Sequence, residues 1–125
     1  MKTIVATDKA PAAIGPYSQA IKANGLLFIS GQLPVNPADG VMPAAVADQA
    51  GQSLENVMAI LAREGLSGKA VVKTTVFLKN MDDFAAVNAV YAQYFTGEFP
   101  ARACVEVARL PKDALVEIEA VALCK

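Results

Sequence analysis

The chain contains 125 residues, of which 54% are hydrophobic and 18% are charged, and its formal net charge is −1. The length predicts a single domain over residues 1–125, and the polar interruption of every apolar run excludes a membrane span. The scattered basic residues argue against a nucleic-acid partner, which requires clustered Lys and Arg. Because the composition is more apolar than that of an average monomer, we expect apolar surface to be buried between subunits.

The sequence has no histidine and two cysteines, Cys104 and Cys124. The absence of His excludes Ser-His and Cys-His nucleophile pairs and argues against a typical zinc site. We expect neither a metal nor another cofactor. Acid–base chemistry then falls to carboxylates, a shifted Lys, Tyr or Cys, or water. The cysteine spacing fits neither a metal site nor a redox pair, and the first residues lack a signal-peptide pattern. We therefore expect a cytoplasmic protein with free thiols.

The first predicted elements are a strand over residues 2–6 and a hairpin formed by residues 19–23 and 26–30. Asn24-Gly25 supplies the two positive φ values that a two-residue turn requires. A loop rich in Pro and Gly follows over residues 31–43.

Two helices follow in the predicted order. Apolar residues at helical spacing predict the first over residues 45–64, ended by Gly65. The second begins at Asp82 or Asp83 and is stopped by Gly97. Its apolar stripe consists of Phe84, Val87, Tyr91, Tyr94 and Phe95.

The remaining strands are predicted over residues 70–78, 101–110 and 115–123. The resulting order, β-β-β-α-β-α-β-β, is typical of an α+β domain with one mixed sheet and both helices on one face. Apolar and small residues line the opposite face, which we expect to meet a sheet from another subunit.

The strand that contains Arg102 predicts a polar site, because side chains alternate across a sheet. Arg102, Cys104 and Glu106 are expected to face the bare side, and Ala103 and Val105 the helix-covered core. Burial of an Arg at an interface costs free energy unless an opposite charge pairs with it. The planar guanidinium can bind a carboxylate through two parallel hydrogen bonds. The alternative is a structural salt bridge with a Glu across the interface.

Glu117 and Glu119 share one face of the last predicted strand. A carboxylate in a partly dry site can hold and deprotonate a water, although a solvated or ion-paired Glu also fits this pattern. A simple hairpin of the last two strands would set Arg102 opposite about Leu123. A site shared by Arg102 and Glu117 therefore requires a less local pairing.

Five further residues could line a ligand site, and each has an ordinary structural alternative. Tyr17, in a Gly-Pro-Tyr-Ser loop, could cap a pocket or simply pack. Ser30 and Gly31 end a strand, where backbone N–H groups could bind a ligand or form a turn. Asn88 lies beside the apolar helix stripe and needs partners, which are usually backbone groups. Cys104 could be a nucleophile, but without an activating His a small buried residue is the simpler interpretation.

Four parts of the chain form a recognisable set of motifs. They are Pro100-Ala-Arg-Ala-Cys-Val-Glu-Val-Ala-Arg-Leu110 with Val116-Glu117-Ile118, Ile14-Gly-Pro-Tyr-Ser-Gln-Ala20, Phe28-Ile-Ser-Gly-Gln32 and Val87-Asn88. Together they resemble the RidA/YjgF/UK family of reactive-intermediate deaminases. The combined motifs are specific, and the resemblance covers essentially the whole chain without large gaps.

The resemblance implies a chorismate-mutase-like fold, a six-stranded mixed sheet with two helices on one face, and a homotrimer whose sheets form a central barrel. It also implies that the last strand is inserted between the third and fourth strands, antiparallel to both. Glu117 would then lie two strands from Arg102, roughly 10 Å away. The active sites would be three clefts at the subunit interfaces.

By position, the resemblance assigns Arg102 to the substrate carboxylate and Glu117 to the attacking water. Ala103 stands where some relatives carry Ser, and we expect no catalytic consequence because it should face the core. The residues that would line the cleft or contact the substrate are Tyr17, Ser30, Gly31, Asn88 and Cys104.

The implied activity is hydrolysis of 2-imino or enamino acids, such as 2-aminoacrylate, 2-iminopropanoate and 2-iminobutanoate, to 2-keto acids and ammonia. Two other functions remain open. A trimeric module that binds or senses 2-keto acids, or acts as a chaperone, would use Arg102 but be indifferent to loss of Glu117. An endoribonuclease or translation inhibitor would need a basic groove, and the near-neutral charge argues against one.

Overall fold

A mixed sheet of six strands and two α-helices make up the described part of the chain, residues 1–124 of the computed structural model. The elements are β1 (Lys2–Val5), β2 (Ala20–Ala23), β3 (Leu26–Gln32), α1 (Val46–Arg63), β4 (Val71–Leu78), α2 (Phe84–Tyr94), β5 (Ala101–Glu106) and β6 (Val116–Leu123). Their order confirms the predicted one. Within residues 1–124, neither helix combines the length and the apolar character needed to cross a membrane.

The strand order across the sheet is β1-β2-β3-β6-β4-β5. The last strand, β6, pairs antiparallel with both β3 and β4, which confirms the insertion that the resemblance implies. β4 and β5 run parallel, and α2 provides the crossover that a parallel pair requires. The two edges of the sheet are therefore β1 and β5.

The predicted hairpin between β2 and β3 is present, with Ala23 paired to Leu26. Asn24 and Gly25 have φ values of 53° and 78°, so both central residues of the turn adopt the left-handed conformation. Asn and Gly tolerate this conformation better than other residues, and a turn of this kind matches the twist of the flanking strands.

Both helices cover the same face of the sheet, as predicted. α1 packs against β3, β6 and α2, and its side chains Leu54, Val57 and Leu61 are fully buried. Ile118 and Val76, which are register neighbours on β6 and β4, are fully buried beneath the helices. Burial of this apolar face is the main source of stability in such a two-layer domain.

Two predicted strand ends differ from the structure by more than one residue, and the pairing partners explain both. β5 ends at Glu106 rather than Leu110, because its only neighbour β4 ends at the paired residue Leu78. β3 continues past Ser30 to Gln32, because Gln32 regains a partner, Ile118, beyond a register shift.

The other side of the sheet, which we call the open face, carries an apolar row across four strands. Register pairs put Ile4 beside Ile21, Ile21 beside Phe28, and Phe28 beside Val121. Ile4 is 66% exposed and Phe28 is 45% exposed. Contiguous exposed apolar surface of this kind marks an interaction site on a folded domain.

A buried amide ties the long loop after β3 to α1. Asn56 is fully buried, and its Nδ2 donates to the carbonyl oxygens of Leu33 and Val35, each at 3.0 Å. Its Oδ1 accepts a hydrogen bond of 2.9 Å from Gln52. One side chain therefore supplies polar partners to a loop that has little regular structure of its own.

We predict that Asn56→Ala lowers the free energy of unfolding by about 2–4 kcal/mol, because buried carbonyl oxygens lose their donor. Urea unfolding at a fixed protein concentration measures the loss. Gln93→Ala, at an exposed position of α2, is the matched control and should stay within about 0.5 kcal/mol of the wild type. A loss no larger than that of the control would contradict the assigned role of Asn56.

Candidate active site

Two carboxylates project from the open face of β6. Glu117, Glu119 and Val121 alternate with the buried residues Ile118 and Ala120. Glu117 is half-buried, whereas Glu119 is exposed. The predicted sharing of one face by the two glutamates is therefore confirmed.

A β-bulge in β3 lies next to these carboxylates. Ile29 pairs with Ala120 and Gln32 pairs with Ile118, so Ser30 and Gly31 together oppose the single residue Glu119. A bulge of this kind bends the strand and redirects the side chains beside it.

Gly31 leaves the space that the Glu117 carboxylate occupies. A Cβ atom at residue 31 would come within 2.9 Å of Glu117 Cδ and still closer to Oε2. Such a contact is far shorter than van der Waals distance, so any side chain at residue 31 would displace the carboxylate. Gly31 is needed here for close approach, and its backbone lies against the acid.

The carboxylates and the bulge line a cavity of about 820 Å³. Tyr17, 52% exposed, contributes an aromatic wall at the surface. The Ser30 hydroxyl donates to the carbonyl oxygen of Ser18 at 2.6 Å, which fixes this side chain against the preceding loop. Tyr17, Ser30, Gly31 and Glu117, four of the predicted site residues, are thus brought together.

The environment makes Glu117 more basic than an ordinary carboxylate. Burial raises the pKa of Glu117, and the neighbouring charge of Glu119 raises it further. A carboxylate with a raised pKa accepts a proton more readily, which suits a group that must deprotonate water.

A second polar cluster surrounds Arg102 on the edge strand β5. Arg102 Nη1 donates to Asn88 Oδ1 of α2 at 2.8 Å. The guanidinium carbon lies 4.8 Å from the ring centroid of Tyr91 and 5.5 Å from that of Phe84, both on α2. Such cation–π contacts stabilise a guanidinium without an ionic partner.

Cys104 follows Arg102 on the same side of β5 and packs against the hydrophobic core. Burial raises the pKa of the Cys104 thiol, and the nearby Arg102 charge opposes this shift. The side chain is therefore a protonated thiol at neutral pH, not an activated nucleophile. This agrees with its interpretation as a small, partly buried residue.

The predicted orientation of β5 is wrong. Arg102 pairs with Thr74 and Cys104 with Val76 of β4, and both of these partners are buried on the helix-covered face. Ala103, expected in the core, is exposed on the open face.

The misleading signal was the polarity of the strand. Val105 lies on the open face, where it is 41% exposed. β5 is an edge strand, and residues of α2 contact Arg102 on its inner side. An Arg can therefore reach solvent there while its stem and ring contacts remain packed.

The predicted separation of Arg102 and Glu117 is also wrong within one chain. β4 lies between their strands, and Arg102 is level with Ala120, which is three residues from Glu117. Strand spacing and rise then give about 14 Å between the two Cα atoms, and the side chains point to opposite faces. A small acid cannot contact both side chains of the same chain.

The predicted site residues therefore form two groups. Asn88, Arg102 and Cys104 lie together on the helix-covered side, where Asn88 holds the guanidinium. The other group lies around the cavity at the carboxylates. β4 lies between β6, which carries Glu117, and β5, which carries Arg102, and the two groups lie on opposite faces of the sheet.

Sequence patterns missed several residues of these groups. Phe84 and Tyr91 were interpreted only as an apolar helix stripe, yet both contact the guanidinium of Arg102.

Two further residues that the sequence analysis did not single out, Gln19 and Lys112, line the cavity. Gln19 is buried, and its amide nitrogen donates to carbonyl oxygens of Thr7, Ala10 and Pro11. Of these, only Gln19 had a usable signal, because it lies within the Ile14–Ala20 motif.

Comparison with known proteins supports a close kinship. A family model described as Endoribonuclease L-PSP matches residues 7–124. A RutC family protein of Haemophilus influenzae is 57% identical over 100% of this chain and 99% of its own length. The 2-iminobutanoate/2-iminopropanoate deaminase of Escherichia coli K12 is 56% identical over 98% of each chain.

Solved structures agree with these sequence matches. The crystal structure of Escherichia coli TdcF with bound serine has a TM-score of 0.94 and 48% identity, covering 98% of this chain and 99% of the other. The structure of the Escherichia coli YjgF gene product has a TM-score of 0.95 and 54% identity over 98% and 99% of the two chains.

We predict that Glu117→Gln makes the protein more stable than the wild type at neutral pH. The folded state raises the pKa of Glu117 above its ordinary value of 4.5. The wild type therefore loses stability as the pH rises from that value through the raised one, and the amide does not.

Thermal unfolding of both proteins at pH 4 and pH 7.5 tests this expectation. The melting temperatures should differ in favour of the variant at the higher pH, and the difference should shrink at the lower pH. A variant that is less stable than the wild type, by more at pH 7.5 than at pH 4, would show that the folded state favours the charged form of Glu117 and would contradict the expectation.

Proposed function

Because this chain belongs to the Endoribonuclease L-PSP family, which is the RidA/YjgF family of the sequence resemblance, we propose that it is a hydrolytic deaminase of 2-imino acids. Its substrates are 2-iminopropanoate, 2-iminobutanoate and their enamine tautomers, such as 2-aminoacrylate. Relatives at 53–56% identity carry the name 2-iminobutanoate/2-iminopropanoate deaminase. The observation that carries the proposal is the presence of a partly free guanidinium and a basic, half-buried carboxylate in the same small protein.

Arg102 binds the substrate carboxylate in this proposal. Among the described residues, its one hydrogen bond is to Asn88, which leaves other N–H groups of the guanidinium for a ligand. Two parallel N–H groups of an Arg match the two oxygens of a carboxylate. The positive charge of the guanidinium also withdraws electron density from the substrate, which makes the imine carbon beside the carboxylate more electrophilic.

Glu117 activates the water that attacks the imine carbon. The water gives a proton to the carboxylate while its oxygen forms a bond to the carbon, and the C=N bond becomes a C–N single bond. The nitrogen, which has taken up the electron pair of the broken C=N π bond, receives the proton back from Glu117 to give the carbinolamine. The C–N bond then breaks, the hydroxyl proton passes to the departing nitrogen and the keto oxygen forms. Ammonia leaves, and Glu117 is again a carboxylate. The balance is one imine and one water to one 2-keto acid and one ammonia.

This chemistry needs little from the protein, because imines already hydrolyse readily in water. Positioning the acid and the water, together with charge complementarity, supplies the acceleration. Tyr17, Ser30 and Asn88 line the cleft in the proposal, and the backbone at Gly31 and Cys104 contacts the reacting end. The raised pKa of Glu117 supports its role as the base.

We infer that each active site is shared by two copies of the chain in a homotrimer. Arg102 and Glu117 point to opposite faces of the sheet within one chain, so they can reach one substrate only from different chains. One copy contributes Arg102, Asn88 and Cys104, and its neighbour contributes the cavity around Glu117. The exposed apolar row from Ile4 to Val121 supports assembly through the open face.

Two other functions give different results in the same experiments. A module that only binds or senses 2-keto acids needs Arg102 but tolerates loss of Glu117. The family description names an endoribonuclease, but the net charge of −1 and the two carboxylates in the cavity do not favour RNA. Ribonuclease activity that survives Arg102→Ala would support that function instead.

We predict that Arg102→Ala lowers kcat/KM for imine hydrolysis about a hundredfold or more, because the carboxylate loses a charge-assisted pair of hydrogen bonds. Glu117→Gln should lower kcat by a similar factor, with a smaller effect on KM, because it removes the base. A dehydratase generates 2-aminoacrylate in the assay, and release of the keto acid is followed.

The matched controls are Arg109→Ala and Glu98→Gln, which change exposed residues outside both clusters. Both should keep wild-type rates. Equal rates of keto-acid release with and without the wild-type protein would refute the enzymatic proposal. Full hydrolytic activity of Glu117→Gln would contradict the role of Glu117 as the base. Binding of 2-keto acids that is unchanged in Glu117→Gln, without any acceleration of hydrolysis by the wild type, would favour the sensing module.

We further predict that two inactive variants complement each other. When Arg102→Ala and Glu117→Gln chains are co-expressed and assemble at random, about a quarter of the shared sites contain both intact residues. The mixed protein should therefore recover about a quarter of the wild-type activity per site. No recovery in mixed trimers, verified by mass spectrometry, would show that both residues act from the same chain.

A further inference from the structure

Tyr91 connects the guanidinium of Arg102 to the interior of the domain. Its ring lies 4.8 Å from the guanidinium carbon, and its hydroxyl forms a hydrogen bond of 2.6 Å with the Thr74 hydroxyl. Tyr91 is 4% exposed and Thr74 is 1% exposed. Because both hydroxyls are buried, each depends on the other for its polar partner.

The position of Thr74 makes this contact specific. Thr74 is the register neighbour of Arg102 across the β4–β5 pair, and both side chains point to the helix-covered face. The Thr74 hydroxyl, which forms the hydrogen bond with Tyr91, therefore lies directly beside the Arg102 side chain that the Tyr91 ring contacts. The three residues are therefore linked in a ring. Arg102 on β5 neighbours Thr74 on β4, Thr74 forms a hydrogen bond with Tyr91 on α2, and the Tyr91 ring contacts Arg102.

An Arg on an edge strand needs such support if it is to bind a small acid. The side chain has several rotatable bonds, and ordering it at the moment of binding costs free energy. The hydrogen bond from Nη1 to Asn88 fixes one corner of the guanidinium. The face of the Tyr91 ring restricts the plane in which the fork lies.

We propose that Tyr91, anchored by Thr74, is a positioning residue that orients Arg102 for the substrate carboxylate. The inference rests on the proposed function, since it concerns the group that binds the carboxylate. Tyr91 does not contact substrate in this account. Its effect is transmitted through the plane of the guanidinium, so it should alter substrate affinity more than the chemical step.

The test compares variants that remove the ring, the hydroxyl or its anchor. Tyr91→Leu removes the ring face and should raise KM for the imino acid about tenfold, with a smaller change in kcat. Tyr91→Phe and Thr74→Val break the hydroxyl pair and should each raise KM about threefold. Thr74→Ser keeps a hydroxyl at residue 74, so its KM should equal that of the wild type.

Tyr94→Phe is the matched control for this series. Tyr94 lies on the same helix, and its hydroxyl forms a hydrogen bond of 2.7 Å with Glu55, away from Arg102. Its loss should leave KM unchanged, even if the melting temperature falls. Affinity for 2-oxobutanoate, measured by calorimetry, provides a second readout that does not depend on turnover and should follow KM through the series.

The outcomes separate this inference from the proposed function. Wild-type KM and wild-type keto-acid affinity in both Tyr91→Phe and Thr74→Val would overturn the positioning role while leaving the deaminase proposal intact. A fall in kcat and melting temperature without a change in KM would also overturn it, because that is the result of a purely structural role. A wild type that neither hydrolyses the imine nor binds the keto acid would overturn both.

Discussion

The alternation of side chains across a strand is the constraint on which the arrangement of this protein depends. β6 lies between β3 and β4, and its odd-numbered residues carry Glu117 and Glu119 to the open face. Arg102 belongs to the opposite face, because its partner Thr74 is buried under the helices. Glu117 cannot change sides without exposing Ile118 and Ala120, the buried residues that alternate with it on β6. Arg102 and Glu117 of a single chain therefore cannot contact the same small molecule.

The two polar groups are also built by different means. Around Arg102, side chains from α2 provide an amide and two aromatic rings. Around Glu117, backbone geometry dominates: the bulge at Ser30 and Gly31 makes the room, and burial beside Glu119 raises the pKa. Rigid supports of this kind suit the proposed imine hydrolysis, for which positioning would supply most of the acceleration.

Local signals in the sequence predicted the elements well, because each depends on near neighbours. The Asn24-Gly25 turn and the helix that Gly65 ends are both present. The insertion of β6 was implied only by the family resemblance, because strand order depends on long-range packing. The orientation of β5 could not be read from alternation alone. A strand with three polar and three apolar positions has two consistent orientations, and an edge location lets a charged residue occupy the helix-covered side.

The close contact between Gly31 and Glu117 links the choice of residue at two distant points of the chain. A side chain at residue 31 would force the end of the Glu117 side chain to move, so glycine at 31 is what allows the carboxylate to stay in its present position. A short residue at 117 would remove this conflict and allow a side chain at 31. In an evolving lineage the two positions would be expected to drift as a pair. A relative that lacks the glutamate in the last strand would then also be expected to carry a residue other than glycine in the third strand.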